Sequence, residues 1–148
     1  MATAVVNFFT EDIKFNLKNK RTVKSWIKAS IEAELFKLEE LNFIFCSDEY
    51  LLRVNQEYLN HDTYTDVITF DNSEGLKMIL GDIFISVDRI RENAKNLSID
   101  SIDELYRVMI HGTLHLLGYK DKGKIAKQLM TQKEDHYLAE LSILFNPT

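Results

Sequence analysis

The sequence predicts an α+β fold in which a small mixed β-sheet of about four strands is packed with helices. Short segments rich in β-branched and aromatic residues, which are typical of strands, fall within the first 87 residues. Residues 88–145 instead carry apolar residues at helical spacing. Strands that come first and helices that come last indicate this fold class. At 148 residues the chain is expected to form one domain, spanning residues 1–148.

The first 87 residues of the chain contain all the expected strands. We place them at residues 4–9, 40–46, 66–70 and 78–87. Helices are expected at residues 22–35, where apolar residues recur at helical spacing, and at about residues 48–58, after the capping residue Ser47. Residues 71–75 separate the last two strands and are typical of a hairpin loop.

The second half is predicted to be helical. Helices are expected at residues 88–96, 101–118 and 125–145, with a turn at Gly123. Ser101 and Glu104 match a capping box, in which each side chain bonds the other's backbone N–H at the start of a helix. The helix that follows is apolar on more than one side, so we expect it to be buried at the centre of the molecule.

The most informative segment is residues 111–121, HGTLHLLGYKD, at the end of that central helix. His111 and His115 are four residues apart, which places both imidazoles on one helical face. Gly118 can adopt a left-handed conformation that ends the helix, and the chain can then return the Asp121 carboxylate to the histidines. These three ligands leave one position open on a tetrahedral Zn²⁺, as in catalytic zinc sites. The expected catalytic group is a zinc-bound water, and no protein base is assigned.

A structural alternative stays open for the two histidines, because their spacing also arises by chance. One would then be a core residue bonded to a backbone carbonyl, and the other a surface residue. A zinc peptidase of the usual type carries a glutamate directly after the first histidine as its general base, and Gly112 occupies that position.

Composition limits the class of protein. Apolar residues make up 45% of the chain and charged residues 28%, as in a globular protein without a membrane span. The first nine residues lack the basic and long apolar segments of a secretory signal. The single cysteine, Cys46, cannot form an internal disulfide and is expected in the core. We therefore expect a cytoplasmic protein with no membrane partner.

The net charge of −5 argues against a non-specific nucleic-acid-binding protein, but positive charge is clustered. Residues 14–28 carry six cationic side chains with no acidic residue among them. A second cluster flanks the expected third ligand and is expected to contact the phosphates of an anionic substrate; it comprises Lys120, Lys122, Lys124 and Lys127. A solvated surface is the alternative for each cluster.

Three motifs together give the chain a resemblance to a known family. The first is residues 55–58 (NQEY) with Asp62 and residues 65–70 (TDVITF), the second is residues 81–83 (GDI), and the third is residues 111–119 (HGTLHLLGY). In this order they resemble the YbeY family of bacterial metal-dependent endoribonucleases. The resemblance implies a single-strand-specific zinc enzyme that matures the 3′ end of small-subunit ribosomal RNA and acts in ribosome quality control. It implies precursor ribosomal RNA as substrate and the small ribosomal subunit or its associated proteins as partners.

The chain departs from that family pattern at two places. The family's third ligand is usually a histidine that follows an aspartate, whereas this chain has Asp121 after Lys120. A carboxylate is still a zinc ligand, so the site is expected to survive. The family also has an arginine directly after the tyrosine of the first motif, where this chain has Leu59. Two alternatives stay open: another cation, such as Lys120, Lys122 or Arg53, takes the place of this arginine on RNA, or activity is weaker.

Two aspartates each have two interpretations. Asp82 either orients a metal ligand or caps a turn, and Asp66 either bonds a histidine ring or satisfies the preceding loop. His61 and His136 lie outside the third motif and are expected at the surface. Three functions stay open: an endoribonuclease, a metal-dependent hydrolase of another bond such as a metzincin-like peptidase, and a non-catalytic ribosome-associated module stabilised by its metal.

Overall fold

The computed structural model describes residues 4–61 and 63–147, so Asp62 of the first motif lies outside the described residues. Within these ranges the chain forms four strands and five helices. In chain order they are β1 (Val5–Thr10), α1 (Lys20–Ala33), β2 (Lys37–Cys46), α2 (Asp48–Leu59), β3 (Val67–Asp71), β4 (Met78–Ser86), α3 (Val87–Leu97), α4 (Ser101–Leu116) and α5 (Lys124–Phe145).

The strands form one mixed sheet in the order β1-β2-β4-β3. β1 pairs parallel with β2, and β2 pairs parallel with β4, while β3 runs antiparallel to β4. The α+β class with a four-stranded mixed sheet is therefore confirmed. Each expected element is present with small changes of boundary; β2 begins at Lys37 rather than residue 40, and α1 at Lys20 rather than residue 22.

Helix α4 lies at the centre of the molecule, as predicted. Ten of its 16 residues are buried, so it is enclosed on most sides. The helix approaches the sheet closely at Gly112, where an added Cβ would lie 3.0 Å from Cγ2 of Ile83 and 3.4 Å from Cγ2 of Thr69. This contact fixes the end of α4 against β3 and β4, at the edge of the sheet.

The capping box expected at the start of α4 is not formed. The N-cap residue is Asp100, which makes no side-chain cap hydrogen bond, and Ser101 is already helical. The Glu104 side chain is buried and bonds Asn93. The prediction was wrong because Glu104 lies seven residues before His111, on the helical face that carries the histidines, and is directed into the protein.

Two further predictions concern burial. Cys46 is buried, with its Sγ 3.5 Å from the carbonyl oxygen of Ile85, which confirms a core position. Among the helices of the described residues, none is long and apolar enough to cross a membrane.

Candidate metal centre and active-site cleft

Three predicted ligands converge at the end of α4. Nε2 of His111 and Nε2 of His115 are 3.0 Å apart. Oδ2 of Asp121 lies 3.3 Å from the first of these nitrogens and 3.4 Å from the second. All three side chains are only partly buried, so solvent and small ligands can reach the triangle of ligand atoms.

A Schellman motif after α4 returns the chain so that Asp121 reaches the histidines. The N–H of Gly118 donates to the carbonyl of His115, and the N–H of Tyr119 donates to the carbonyl of Leu114, both at 3.0 Å. Gly118 adopts a φ of +102°, which strains any residue that has a Cβ. The prediction that this glycine ends the helix is confirmed.

The second ring nitrogen of each histidine is held by the protein. Nδ1 of His115 lies 3.0 Å from the carbonyl oxygen of Tyr119, and Nδ1 of His111 lies 2.6 Å from Oε2 of Glu134. A carbonyl oxygen can only accept, so Nδ1 of His115 carries the proton and its Nε2 presents a lone pair. An ionised Glu134 imposes the same tautomer on His111. Both Nε2 atoms therefore direct lone pairs at one point, in the arrangement that metal-binding histidines adopt.

The triangle is close in size to the ligand triangle of a tetrahedral metal site. With metal–ligand distances of about 2.0–2.2 Å and tetrahedral angles, neighbouring ligand atoms lie about 3.3–3.6 Å apart. The observed separations of 3.0, 3.3 and 3.4 Å are close to this range. Two imidazole lone pairs and a carboxylate are all acceptors, so they repel one another unless a proton or a cation lies between them. The three residues therefore fit a divalent cation.

Several ionisable groups lie close to the histidines and shift one another's pKa values. Burial disfavours the charged form of His111, but the hydrogen bond and charge of Glu134 outweigh it and raise the pKa of this imidazole. Burial raises the pKa of Asp66, which also feels the charge of His111. Burial and the charge of Asp66 likewise raise the pKa of Glu104. The charges of Glu134, Asp121 and Asp66 all raise the pKa of His111, so this position favours a positive charge.

Glu134 is a functional residue that sequence reasoning missed. It is 6% exposed, and its Oε1 accepts a hydrogen bond of 2.8 Å from Nη1 of Arg107, so both carboxylate oxygens are engaged. The sequence carried a usable signal, because α5 buries Glu134 in the stripe that also contains Met130 and Tyr137. A carboxylate in an apolar stripe requires a donor or a cation as partner.

A second carboxylate supports the turn that follows α4. Glu34, at the end of α1, accepts hydrogen bonds from the Tyr119 hydroxyl at 2.6 Å, from Nζ of Lys133 at 3.0 Å and from the Tyr137 hydroxyl. Burial alone would raise the pKa of Glu34, but these hydrogen bonds lower it. Because the backbone carbonyl of Tyr119 holds the ring of His115, Glu34 anchors the residue that orients this ligand.

A cleft of about 410 Å³ opens in front of the three ligands. It is lined by α4, β3 and the segment between α2 and β3. The buried Asn55 donates from Nδ2 to the carbonyl of Thr63 at 2.8 Å and so fixes this segment against α2. His61 is exposed, as predicted, but it also lines the cleft, which its sequence neighbours did not indicate.

The lysines of the second cluster are placed unequally. Lys127 lines a second cavity of about 660 Å³, which shares His111 and Asp121 with the cleft. The other three are exposed but line neither cavity within the described part of the chain; they are Lys120, Lys122 and Lys124. The structure thus brings one of the four predicted phosphate contacts to the site.

Arg53 is not part of the cleft. Its guanidinium lies 3.9 Å from Oδ2 of Asp12 and over the ring of Tyr50, on the exposed side of α2. The expectation that it replaces the family arginine is therefore corrected. The reason is the side of α2 on which Arg53 lies, because Asn55 and Leu59, which line the cleft, project from a different side of the same helix.

The two predicted supporting aspartates also lie in different places. Asp66 lines the cleft and accepts from Nδ2 of Asn93 at 3.5 Å, without a hydrogen bond to either histidine ring. Asp82 accepts hydrogen bonds from Asn42 and Asn72 on the opposite face of the sheet. Side chains alternate along a strand, and β4 directs Gly81 and Ile83 towards α4. The expectation that Asp82 orients a metal ligand is corrected for this reason.

The site has no room for the glutamate of a zinc peptidase. That glutamate would replace Gly112, but even a Cβ at this position would press on Ile83. The residue after the first ligand faces the sheet and not the cleft. The position that serves zinc peptidases as general base is therefore a packing position in this protein.

The family model and similar named proteins agree on one family. The family model described as Endoribonuclease YbeY matches residues 5–142. Proteins named Endoribonuclease YbeY from Cytophaga hutchinsonii and Amoebophilus asiaticus are each 48% identical to this chain, covering 94% and 93% of it and 97% and 94% of their own lengths. A solution structure of a Thermotoga maritima protein superposes with a TM-score of 0.64 at 25% identity, covering 93% of this chain and 89% of that one.

Proposed function

The chain belongs to the YbeY endoribonuclease family, and from this we propose that it is a metal-dependent endoribonuclease in which His111, His115 and Asp121 hold one Zn²⁺. The observation that carries the metal assignment is the triangle of three acceptor atoms, with edges of 3.0, 3.3 and 3.4 Å, at the mouth of a cleft. Nitrogen and oxygen donors of this kind favour Zn²⁺ among the common divalent ions.

The residues of the chain have separate tasks in this proposal. When bound, the ion supplies a water of lowered pKa and a Lewis acid for a phosphoryl oxygen. Glu134 and the carbonyl of Tyr119 keep the proton of each ring on Nδ1, so that both Nε2 atoms stay available. Asp121 contributes a negative charge where the family usually has a neutral histidine. This charge lowers the net positive charge of the loaded site and with it the attraction for RNA phosphate.

Beyond the ligands themselves, the cavities offer RNA the cationic side chain of Lys127 and the imidazole of His61 in the described residues. Leu59 also lines the cleft, so the position of the family arginine faces the substrate but carries no charge. We assign phosphate binding at the site to Lys127 and hydrogen bonding to the imidazole of His61. An imidazole both donates and accepts, so it can bond a phosphate oxygen or a ribose hydroxyl.

The proposed substrate is single-stranded ribosomal RNA. Family membership supports maturation of the 3′ end of small-subunit ribosomal RNA as the reaction, in a cytoplasmic setting and with the small ribosomal subunit as partner. The cleft is about 410 Å³ in volume, which suits one or two unpaired nucleotides rather than a duplex. The packing of Gly112 against Ile83 disfavours a peptidase, and the solvent-accessible ligand triangle disfavours a metal with a purely structural role.

One experiment tests this proposal against both alternatives. Cleavage of a single-stranded RNA and of an unfolded protein is measured with zinc-loaded protein, with chelated protein and with the His115→Ala variant. His136→Ala is the matched control, because His136 is exposed on α5 and pairs with Glu140. RNA cleavage that is lost only on chelation and in His115→Ala is expected. Cleavage of the unfolded protein would identify a peptidase. If neither substrate is cleaved, the protein is a non-catalytic binding module.

The ends of the RNA products show which oxygen attacks phosphorus. A 2′,3′-cyclic phosphate identifies attack by the ribose hydroxyl, whereas attack by water leaves a linear phosphate. The same measurement on His61→Ala and His61→Gln tests the role of that imidazole. If both variants lose cleavage but keep their zinc, His61 contacts the substrate and not the metal.

A further inference from the structure

One long segment of this acidic protein carries positive charge without any acidic residue. Residues 13–31 carry six of the 18 Lys and Arg residues of the chain and none of its 23 Asp and Glu residues. The rest of the chain carries the remaining twelve cations and all 23 acidic residues, so its net charge is −11. The segment covers the end of the β1–α1 connection and most of α1.

The four cations within α1 share one side of the helix. We call Lys20, Arg21, Lys24 and Lys28 the α1 basic strip; they fall within an arc of about 100° at the usual helical rotation. All four are exposed, and none forms a salt bridge within the described residues. Lys24 places its ammonium group over the ring of Phe8, 5.6 Å from the centroid, and remains exposed.

The other side of α1 is firmly attached to the protein. It buries Val23, Trp26 and Ile27, and Nε1 of Trp26 donates to the carbonyl of Tyr137 at 2.6 Å. A rigid backbone holds side chains four residues apart at about 5–6 Å between their Cβ atoms. The strip is therefore a preformed row of positive charge and not a flexible basic tail.

The residues between the cations indicate the kind of partner. From Lys20 to Ala33 the exposed positions other than the strip are Ser25, Ala29, Glu32 and Ala33. Membrane-surface helices insert large apolar side chains beside their cations, and protein interfaces centre on aromatic or aliphatic anchors. This side of α1 has neither. A row of cations without apolar anchors fits the phosphates of a nucleic-acid strand, whose binding is driven by counterion release.

We propose that the α1 basic strip is a second RNA-binding surface, separate from the cleft, which holds the substrate RNA beyond the cleavage point. The proposal rests on the endoribonuclease function argued above. Neither cavity at the metal ligands is lined by a residue of the strip within the described residues. Only an RNA that extends past the cleft reaches the strip, so the strip selects for long substrates over short oligonucleotides.

The test compares two pairs of substitutions that remove equal charge. Lys24→Gln/Lys28→Gln removes two cations of the strip, and Arg91→Gln/Lys95→Gln removes an exposed pair of the same spacing on α3, where Glu92 intervenes. Binding of two single-stranded RNAs, of about 5 and about 30 nucleotides, is measured as a function of salt, with His115→Ala added to each protein to prevent cleavage. Cleavage of the short RNA is measured in each protein without that substitution.

For the long RNA, the slope of log affinity against log salt is expected to fall by about 1.4 in the strip variant, since each lost contact to single-stranded RNA contributes about 0.7. The short RNA should bind and be cleaved as in the parent protein. An unchanged slope overturns the proposal, and so does an equal change in the α3 control. Loss of binding to vesicles of anionic lipid, with RNA binding intact, identifies a membrane surface instead. Failure of the parent protein to cleave either RNA contradicts the nuclease proposal alone, because the slopes remain measurable.

Discussion

Oε2 of Glu134 lies 2.6 Å from Nδ1 of His111 and joins α5 to α4, the helix that carries two of the proposed metal ligands. The other oxygen of Glu134 accepts from Arg107, so the carboxylate cannot rotate away from the ring. A histidine held in this way presents its other nitrogen in one fixed direction and as a stronger base. The geometry of the metal site therefore depends on contacts made between α4 and α5.

Glu134→Gln is expected to weaken zinc binding by about 10- to 100-fold, because an amide cannot replace the charge that fixes the His111 tautomer. The measurement is competition for zinc against a chelator of known affinity. Asp135→Asn is the matched control, since Asp135 pairs with the same Arg107 at 2.8 Å but does not contact the histidine. Equal zinc affinity in the parent and Glu134→Gln would contradict the role given to this carboxylate.

Asp121→Ala is expected to lose most of its zinc, whereas Asp121→His should retain it, because either a carboxylate or an imidazole completes the ligand set. Elemental analysis of protein purified without a metal-affinity tag should give one equivalent of zinc for the parent and for Asp121→His. Far less than one equivalent of any transition metal in the parent would count against the whole site.

Tyr119→Phe is expected to lower the free energy of unfolding by about 1.5–3 kcal/mol, the range for a hydrogen bond to a charged group. The phenol donates to Glu34, whose side chain is 12% exposed, so water replaces the lost contact poorly. Chemical denaturation measures this loss, with Tyr58→Phe as the control at a ring that is 69% exposed. Zinc should also dissociate faster from Tyr119→Phe, since the Tyr119 carbonyl orients His115. If Tyr119→Phe loses stability but zinc does not dissociate faster, Glu34 stabilises the fold without helping to orient His115.

Gly112→Ala is expected to destabilise the protein by about 1–3 kcal/mol, because its Cβ would meet Cγ2 of Ile83 at 3.0 Å in a packed interior. Alanine is otherwise the better helix former by about 1 kcal/mol, so a loss of stability must come from the contact with the sheet. Gly75→Ala is the control, since its Cβ meets the flexible Sδ of Met78 at the same 3.0 Å, in an exposed loop. Thermal unfolding of the two variants should therefore differ, and equal midpoints would disprove the tight packing of α4.

The Cys46 thiol is expected to resist alkylation in the native protein and to react fully after unfolding. Burial, together with nearby acidic groups led by Asp12, raises its pKa from 9.0 to about 12. Between these values the native thiol stays protonated while the unfolded thiol ionises, so the unfolded state binds fewer protons. Stability should then fall as pH rises above 9, by up to about 1.4 kcal/mol per pH unit from this group. Denaturation of the parent and Cys46→Ala across this range measures the difference, and parallel curves would exclude it.

The local part of the site was predictable from sequence, because it depends on helical geometry and one turn. His111 and His115 are four residues apart, and Gly118 returns the chain to Asp121, so the motif needs no distant partner. The orienting carboxylates were not predictable in this way. Glu134 and Glu34 reach the motif only through packing of α5 and α1 on α4, and their separation in sequence carries no periodic signal.

The fold shows the same division between local and distant information. Strand and helix positions follow local patterns and were predicted to within a few residues, whereas the face that a strand presents to a helix depends on the register of the sheet. The interpretation in which Asp82 orients a metal ligand failed for this reason, although the apolar neighbour Ile83 already indicated which face of β4 is buried. Glu104 was assigned to a helix cap because the motif is local, while its true environment comes from three different elements.

The contact between His111 and Glu134 also makes the candidate metal site depend on the order in which the helices are synthesised. The ribosome releases the histidines and Asp121 before it releases the residues of α5, and α5 is the last helix of the described chain. A nascent chain that lacks α5 has its ligands but neither the carboxylate that fixes one ring nor the lysine and tyrosine that bind Glu34. In the proposed function, the fully oriented metal site therefore forms only after α5 has been synthesised and has packed on α4.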